Sequence, residues 1–169
     1  MNKRPFLLIA LLVLGFLTIK NTPVQANPEQ VILSGLAKVV ENTSPGKCIT
    51  PDRLRICRGR ALVIRVETND PRLTGETSLV FDSIYTQAPY KGRIKGEFRL
   101  DNHGGSWVGT WKGATDAKGY TLVTAVGQGK EGYEGLVVRW QIERTNSNWL
   151  EPMSVSGTIS TGRSSTHRR

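Results

Sequence analysis

Residues 94–100 read Ile94-Lys95-Gly96-Glu97-Phe98-Arg99-Leu100, so apolar or small residues alternate with charged ones along the whole stretch. Successive side chains of a β-strand point to opposite faces, and the pattern therefore predicts a strand with one buried and one solvated face. Comparable alternation recurs at residues 31–40, 62–66, 79–85, 107–111, 120–126, 136–142 and 153–159. No segment has a sustained helical period, although a short helix is the alternative for residues 31–40, where Gly35 interrupts the pattern.

The spacing of these segments indicates the fold class. Eight short strands, separated by turn residues at intervals of about 12 residues, are typical of a β-sandwich or a β-barrel. Short glycine-containing turns join consecutive strands from residue 94 onward, which predicts an antiparallel meander in the C-terminal half. A closed barrel leaves no exposed sheet edge. We therefore predict an all-β, antiparallel barrel of about eight strands, with a two-sheet sandwich as the second choice.

Large and small residues share the expected inward faces of these strands. Trp107 and Trp111 share one face with Gly109, Trp140 lies on the corresponding face of its own strand, and Gly96 and Gly157 lie on the alternating face of other strands. Alternating large and small side chains fill the interior of a small barrel. In residues 120–126 the corresponding face is expected to consist of Tyr120, Leu122, Thr124 and Val126.

The N-terminus has the layout of a secretory signal peptide. Lys3 and Arg4 precede an apolar run at residues 6–19, and Val24-Gln25-Ala26 offers small residues for cleavage. The run of 14 residues is shorter than the ~20 that a spanning helix needs, although an uncleaved anchor is the alternative. We predict a signal peptide at 1–26, a barrel domain at 27–159 and a disordered basic tail at 160–169. The mature protein is expected to be secreted or periplasmic, without stable membrane insertion.

The net positive charge lies mainly outside the predicted domain. The chain carries +9, but the signal peptide accounts for three of these charges and the tail for three more. What remains is a local cluster of Arg53, Arg55, Arg58 and Arg60, in which Arg58 and Arg60 are expected to share one strand face. Such a cluster either protects a sheet edge or binds anionic envelope or extracellular material. Export argues against a nucleic-acid partner.

Two cysteines, Cys48 and Cys57, flank a turn at Pro51-Asp52. In an oxidising compartment a pair at this spacing favours a disulfide across a hairpin. The pair is not spaced as a redox CxxC motif, and the nearby sequence has no further Cys or His ligands for a metal.

Candidate catalytic groups are sparse. Of two histidines, His103 lies in a predicted turn and His167 in the tail, and no nucleophile-elbow motif accompanies them. We therefore predict no metal, no cofactor and no catalytic residues. If Leu136, Val138 and Trp140 face inward, Glu134 shares their alternation and points inward at the rim beside Tyr133. At the rim, the Glu134 carboxylate would orient a ligand or act as a general acid or base. The structural alternative is that Glu134 forms an ion pair with an arginine.

Two glycine-rich blocks carry a resemblance to known proteins. They read Gly105-Ser-Trp-Val-Gly-Thr-Trp-Lys-Gly113 and Gly127-Gln-Gly-Lys-Glu-Gly-Tyr-Glu-Gly135. The second resembles the glycine-rich turn before a late strand in allene oxide cyclase and dirigent-type β-barrels. The first, together with residues 70–75, resembles small exported bacterial proteins without an assigned activity. The resemblance implies an eight-stranded barrel with a small apolar cavity, which in the plant families binds reactive lipid or phenolic intermediates. Their catalytic residues have no counterparts at matching positions here.

These observations favour a non-catalytic binding module for a small apolar ligand or an envelope partner. The expected ligand residues are Trp107, Trp111, Trp140, Tyr133 and Glu134. The alternative is a cofactor-free isomerase or cyclase of the allene oxide cyclase or dirigent type.

The predicted signal peptide has a direct test. When the full chain is expressed in a bacterial host, the exported protein should begin near Asn27, because Ala26 is the small residue that precedes cleavage. Intact-mass analysis of the exported fraction measures this start. Recovery of a protein that retains Met1, in the membrane fraction, would support an uncleaved anchor instead.

Overall fold

The computed structural model describes residues 30–87, 91–145, 148 and 150–162. The predicted signal peptide and residues 163–169 of the predicted tail lie outside this part. Nine strands follow one another: β1 (Val31–Ser44), β2 (Lys47–Ile49), β3 (Leu54–Thr68), β4 (Gly75–Thr86), β5 (Gly92–Asn102), β6 (Gly105–Thr115), β7 (Thr121–Lys130), β8 (Leu136–Arg144) and β9 (Met153–Thr161). Single 3₁₀ turns precede β4 (Pro71–Leu73) and β8 (Glu131–Tyr133).

The strands form a closed antiparallel barrel of eight, with β2 outside the ring. From β3 to β9 each strand pairs with the next along the chain, and β1 closes the ring by pairing with both β9 and β3. The predicted barrel is thus confirmed, and the two-sheet sandwich does not form. The up-and-down order begins at β3, earlier than the predicted start at residue 94. Residues 31–40 form a strand rather than a helix, and β9 extends two residues into the predicted tail.

Alternation places one face of each strand inside the barrel. Most inward faces agree with the sequence pattern, but the one expected for residues 120–126 was wrong. Val126 is 47% exposed, whereas Thr121 and Ala125 are buried. The reason is steric: Ala125 lies between Trp111 and Trp140 in the sheet register, where the interior has no room for a larger side chain. The more apolar face of β7 therefore points outward.

One set of inward residues follows the hydrogen-bonding direction across six strands, and we call it the aromatic row. It alternates large and small side chains from β4 to β9: Phe81, Gly96, Trp111, Ala125, Trp140 and Gly157. A Cβ atom on Gly96 would lie 2.7 Å from Cα and Cβ of Phe81, and one on Gly157 would lie 2.6 Å from Cα of Trp140. At these two positions the glycines therefore allow the backbone of the neighbouring strand to approach more closely than a side chain would permit.

In the part of the chain that the structure describes, no helix is both long and apolar enough to span a lipid bilayer.

The aromatic row makes a prediction about stability. Replacing Gly96 by alanine (Gly96→Ala) forces Phe81 or the backbone of β4 to move, and overpacking of this kind costs about 1–3 kcal/mol of unfolding free energy. The adjacent Glu97 is exposed on the outer face, so Glu97→Ala is the matched control and should change stability by less than about 0.5 kcal/mol. Urea denaturation of both variants measures the difference. Equal effects of the two substitutions would contradict the role given to Gly96.

Candidate functional site

The two ends of the barrel interior differ. At the end near the 3₁₀ turns, the interior is filled. Trp107 is completely buried there and stacks on Tyr133, with ring centroids 5.3 Å apart. Leu73 of the first 3₁₀ turn is also completely buried. We call this the closed end.

A polar network holds the first 3₁₀ turn at the closed end. The Asp70 carboxylate accepts a hydrogen bond from the Arg72 backbone N–H at 2.9 Å and pairs with its guanidinium at 2.6 Å. Those contacts hold the pKa of Asp70 below its usual range, chiefly through the side-chain hydrogen bond from Arg72. The Trp107 indole N–H donates to the Arg72 carbonyl at 2.7 Å, and the Tyr133 hydroxyl donates to Asn102 Oδ1 at 2.5 Å. These bonds fix Trp107 and Tyr133 in the packing of this end.

The predicted ligand residues therefore do not form one site. Trp107 and Tyr133 belong to the closed end, and Trp140 packs edge-on against Phe98 with ring centroids 5.5 Å apart. Trp111 is the one member of the predicted set that lines the large cavity at the other end.

Glu134 does not point into the barrel. Its side chain is exposed, and its backbone N–H donates to the Glu131 carbonyl at 3.0 Å as the 3₁₀ turn ends. Gly135 then adopts a φ of 81°, and β8 begins only at Leu136. The alternation of β8 therefore does not extend back to Glu134, and the inward orientation expected for it was wrong.

A cavity of about 1130 Å³ occupies the opposite end of the barrel, and we call this the open end. Its apolar walls include Leu62, Phe81, Ile94, Trp111, Val123 and Ile142. Phe81 and Trp111 pack against each other with ring centroids 5.2 Å apart. The aromatic row thus contributes to the wall of this cavity as well as to the filled interior beyond it.

A second set of inward positions, which we call the polar row, crosses the open end. It runs in register from β3 to β8 as Arg55, Tyr85, Gly92, Thr115, Thr121 and Arg144. All except Gly92 line the cavity. The cavity is therefore apolar along its walls and polar at the level of this row.

Arg144, the last residue of β8, is only 4% exposed although it carries a guanidinium group. Its Nη2 donates to Thr121 Oγ1 at 2.9 Å and to the Gly119 carbonyl at 3.3 Å. Burial lowers the pKa of Arg144, while its interaction with Tyr85 has the opposite effect. Sequence reasoning missed this residue, although continuing the alternation of Leu136, Val138, Trp140 and Ile142 by two positions leads to it.

The predicted arginine cluster is divided between two faces. Gly59 has a φ of 64° and lies at a bulge where the register of β3 against β4 shifts. Arg58 is outside and pairs with Asp82 at 2.6 Å, whereas the Arg60 guanidinium lies 5.2 Å from the centroid of the Phe81 ring on the cavity side. The expectation that Arg58 and Arg60 share a face was therefore wrong, because the bulge changes the alternation between them.

Cys48 and Cys57 form the predicted disulfide and are directly opposite each other on β2 and β3. Both cysteines line the cavity. β2 pairs only with β3 and takes no part in the ring. The disulfide therefore links β2 covalently to β3, in the hairpin that these two strands form at the open end.

Among the described residues, no group of three or more His, Cys, Asp or Glu side chains is placed to hold a metal ion. His103 is exposed in the turn between β5 and β6.

Comparison of the chain with protein-family models, with curated proteins and with solved structures gives no match. The resemblance to allene oxide cyclase and dirigent-type barrels therefore stays a prediction.

The placement of the disulfide makes a prediction about local opening. In the double variant Cys48→Ser/Cys57→Ser, amide hydrogen exchange should accelerate within residues 47–53, because β2 and the following turn lose their covalent link while the ring keeps all of its strand pairs. Exchange within β5 and β6, which lie elsewhere in the ring, serves as the internal control and should be unchanged. Faster exchange throughout the barrel would mean that the disulfide supports the ring itself.

Proposed function

We propose that this protein is a non-catalytic binding module that holds one small, largely apolar molecule in the cavity at the open end. The observation that carries the proposal is the contrast between the two ends. The closed end is packed with buried side chains, while the open end keeps a cavity of about 1130 Å³. Ligand pockets for small molecules typically measure roughly 300–1,000 Å³.

The composition of the cavity supports the same function. Leu62, Trp111 and Val123 provide apolar contact area, and the polar row supplies a few fixed hydrogen-bonding groups. Predominantly apolar walls with a small number of placed polar groups are typical of small-molecule sites, in which the polar groups orient the ligand.

The alternative cyclase function has less support. Glu134, the candidate acid or base, is exposed and is absent from the lining of the cavity. A role in binding envelope material would use the exposed Arg53, Arg55 and Arg58, of which Arg58 already pairs with Asp82.

We also propose that the chain is exported. The Cys48–Cys57 disulfide fits an oxidising compartment such as the periplasm or the extracellular space. The signal peptide that would direct export is an inference from the sequence and lies outside the described residues.

Blocking the cavity tests the binding function. In the double variant Leu62→Trp/Val123→Trp, two indoles enter the cavity, and the affinity for an uncharged fluorescent probe such as N-phenyl-1-naphthylamine should fall at least about tenfold, equivalent to about 1.4 kcal/mol. The measurement is fluorescence titration of folded protein, with the fold checked by far-ultraviolet circular dichroism.

A matched control places the same side chains outside the barrel. Val80 and Val126 are exposed on β4 and β7, so Val80→Trp/Val126→Trp should leave the probe affinity unchanged. Absence of probe binding by the wild-type protein, or an equal loss in both double variants, would refute binding in the cavity.

A further inference from the structure

The charges around the cavity are of one sign. Three arginines, Arg55, Arg60 and Arg144, line it, and the described lining residues include neither Asp nor Glu. The ion pairs that β3, β4 and β5 make, such as Arg58–Asp82 and Arg65–Glu76, are instead on the outer surface. The cavity is therefore electropositive, and low-dielectric walls strengthen the field of these charges inside it.

Arg144 is fixed in place rather than free to move into solvent. Its Nη2 is held by Thr121 Oγ1 and the Gly119 carbonyl, and Thr121 Oγ1 lies 2.9 Å from Thr115 Oγ1. A guanidinium carries five N–H donors and no acceptor, so any group that contacts it from within the cavity must supply acceptor oxygens. An anion does so most favourably because its hydrogen bonds are assisted by charge.

Ser83 adds a further polar group inside the cavity. Its side chain is 1% exposed, and Oγ has no hydrogen-bond partner among the described residues. Ser83 lines the same cavity and is next to the Phe81 position of the aromatic row on the inward face of β4. Buried hydroxyls are ordinarily hydrogen-bonded, so Ser83 Oγ, which is enclosed in the cavity wall, marks a polar position whose partner is not among the described residues.

We propose that the ligand of this cavity is an amphipathic monocarboxylic acid. Its carboxylate lies at the polar row, where Arg144 and Arg55 bind it, and its apolar body extends along Phe81 and Trp111. The assignment rests on the proposed binding function and specifies its ligand class. A carboxylate matches the fork of guanidinium donors, and an apolar tail matches walls that include Leu62, Ile94 and Val123.

The test compares ligands that share one tail and differ in charge. Dodecanoate, methyl dodecanoate and dodecyltrimethylammonium, each below its micelle concentration, compete with N-phenyl-1-naphthylamine for the wild-type protein. We expect dodecanoate to bind at least about tenfold more tightly than the ester, as a charged hydrogen bond allows, and the cation to bind most weakly. Equal affinities of acid and ester, or a preference for the cation, would overturn the assignment.

Substitutions of single arginines test whether the carboxylate of the ligand binds at the polar row. Arg144→Gln should abolish most of the preference for dodecanoate over its ester, because the carboxylate loses a charge-assisted hydrogen bond and the ester at most a neutral one. Arg139 is exposed on the outer face of the same strand, so Arg139→Gln is the matched control and should keep the full preference. If Arg144→Gln fails to fold, the exposed Arg55 provides the second variant, Arg55→Gln, which should reduce the preference in the same direction.

The outcomes separate the two proposals. If the neutral probe binds but the acid has no preference over the ester, the ligand class is wrong and the binding function stands. The same holds if dodecanoate is preferred but neither Arg144→Gln nor Arg55→Gln reduces the preference. If neither the neutral probe nor any dodecyl compound binds, the binding function fails and the ligand class fails with it.

Discussion

Closure of the ring by β1 determines how every inward side chain is accommodated. β1 pairs with β9 on one side and with β3 on the other, so the sheet has no free edge within the ring. All inward residues of eight strands then share one narrow interior, and a large side chain on one strand requires a small one beside it. The aromatic row meets this requirement with glycine or alanine between Phe81, Trp111 and Trp140.

The same constraint explains why the barrel has two different ends. At the closed end, the 3₁₀ turns add Leu73 and Tyr133 to the interior, and Asn102 ties both turns together through its side-chain amide. At the open end, the polar row places hydroxyl and guanidinium groups on the inward face. Such groups pack poorly against one another in a dry core, because each needs hydrogen-bond partners. The volume that they leave unfilled is the cavity that we interpret as the binding site.

Period-two alternation was sufficient to predict the strands, because burial of one face imposes that pattern, while the short turns predicted the antiparallel order and the strand spacing the barrel. Closure of the ring depends on pairing between β1 and β3, which are not joined by a short turn. The sequence near either strand contains no pattern that predicts this pairing, apart from the general need to cover sheet edges. The disulfide was predictable from the spacing and turn residues together with the expected export to an oxidising compartment. The inward face of β7 was mispredicted because Ala125 and Gly127 are small, so the outward face appeared to be the apolar one.

The candidate site was harder to predict than the fold. Trp107, Trp140 and Tyr133 were reasonable ligand residues on aromatic content, but the structure uses them as packing. An inward aromatic residue packs in the core where a 3₁₀ turn covers that end of the barrel, and otherwise lines a cavity. The turn at residues 131–133 could not be predicted, because its sequence has no clear helical pattern. Arg144 was overlooked because a charged residue at the end of a strand ordinarily marks the transition to solvent. Its burial follows because β8 stays paired with β7 as far as Thr121, so the inward alternation of β8 continues to its last residue.

Native mass spectrometry of the protein purified from its own host tests most directly whether the open end holds a small molecule. If the cavity holds its ligand, the spectrum contains a population heavier than the polypeptide by the mass of one small organic acid, and denaturation releases that mass. A spectrum that contains only the mass of the polypeptide, under conditions that preserve known complexes of comparable barrels, would contradict binding at the open end.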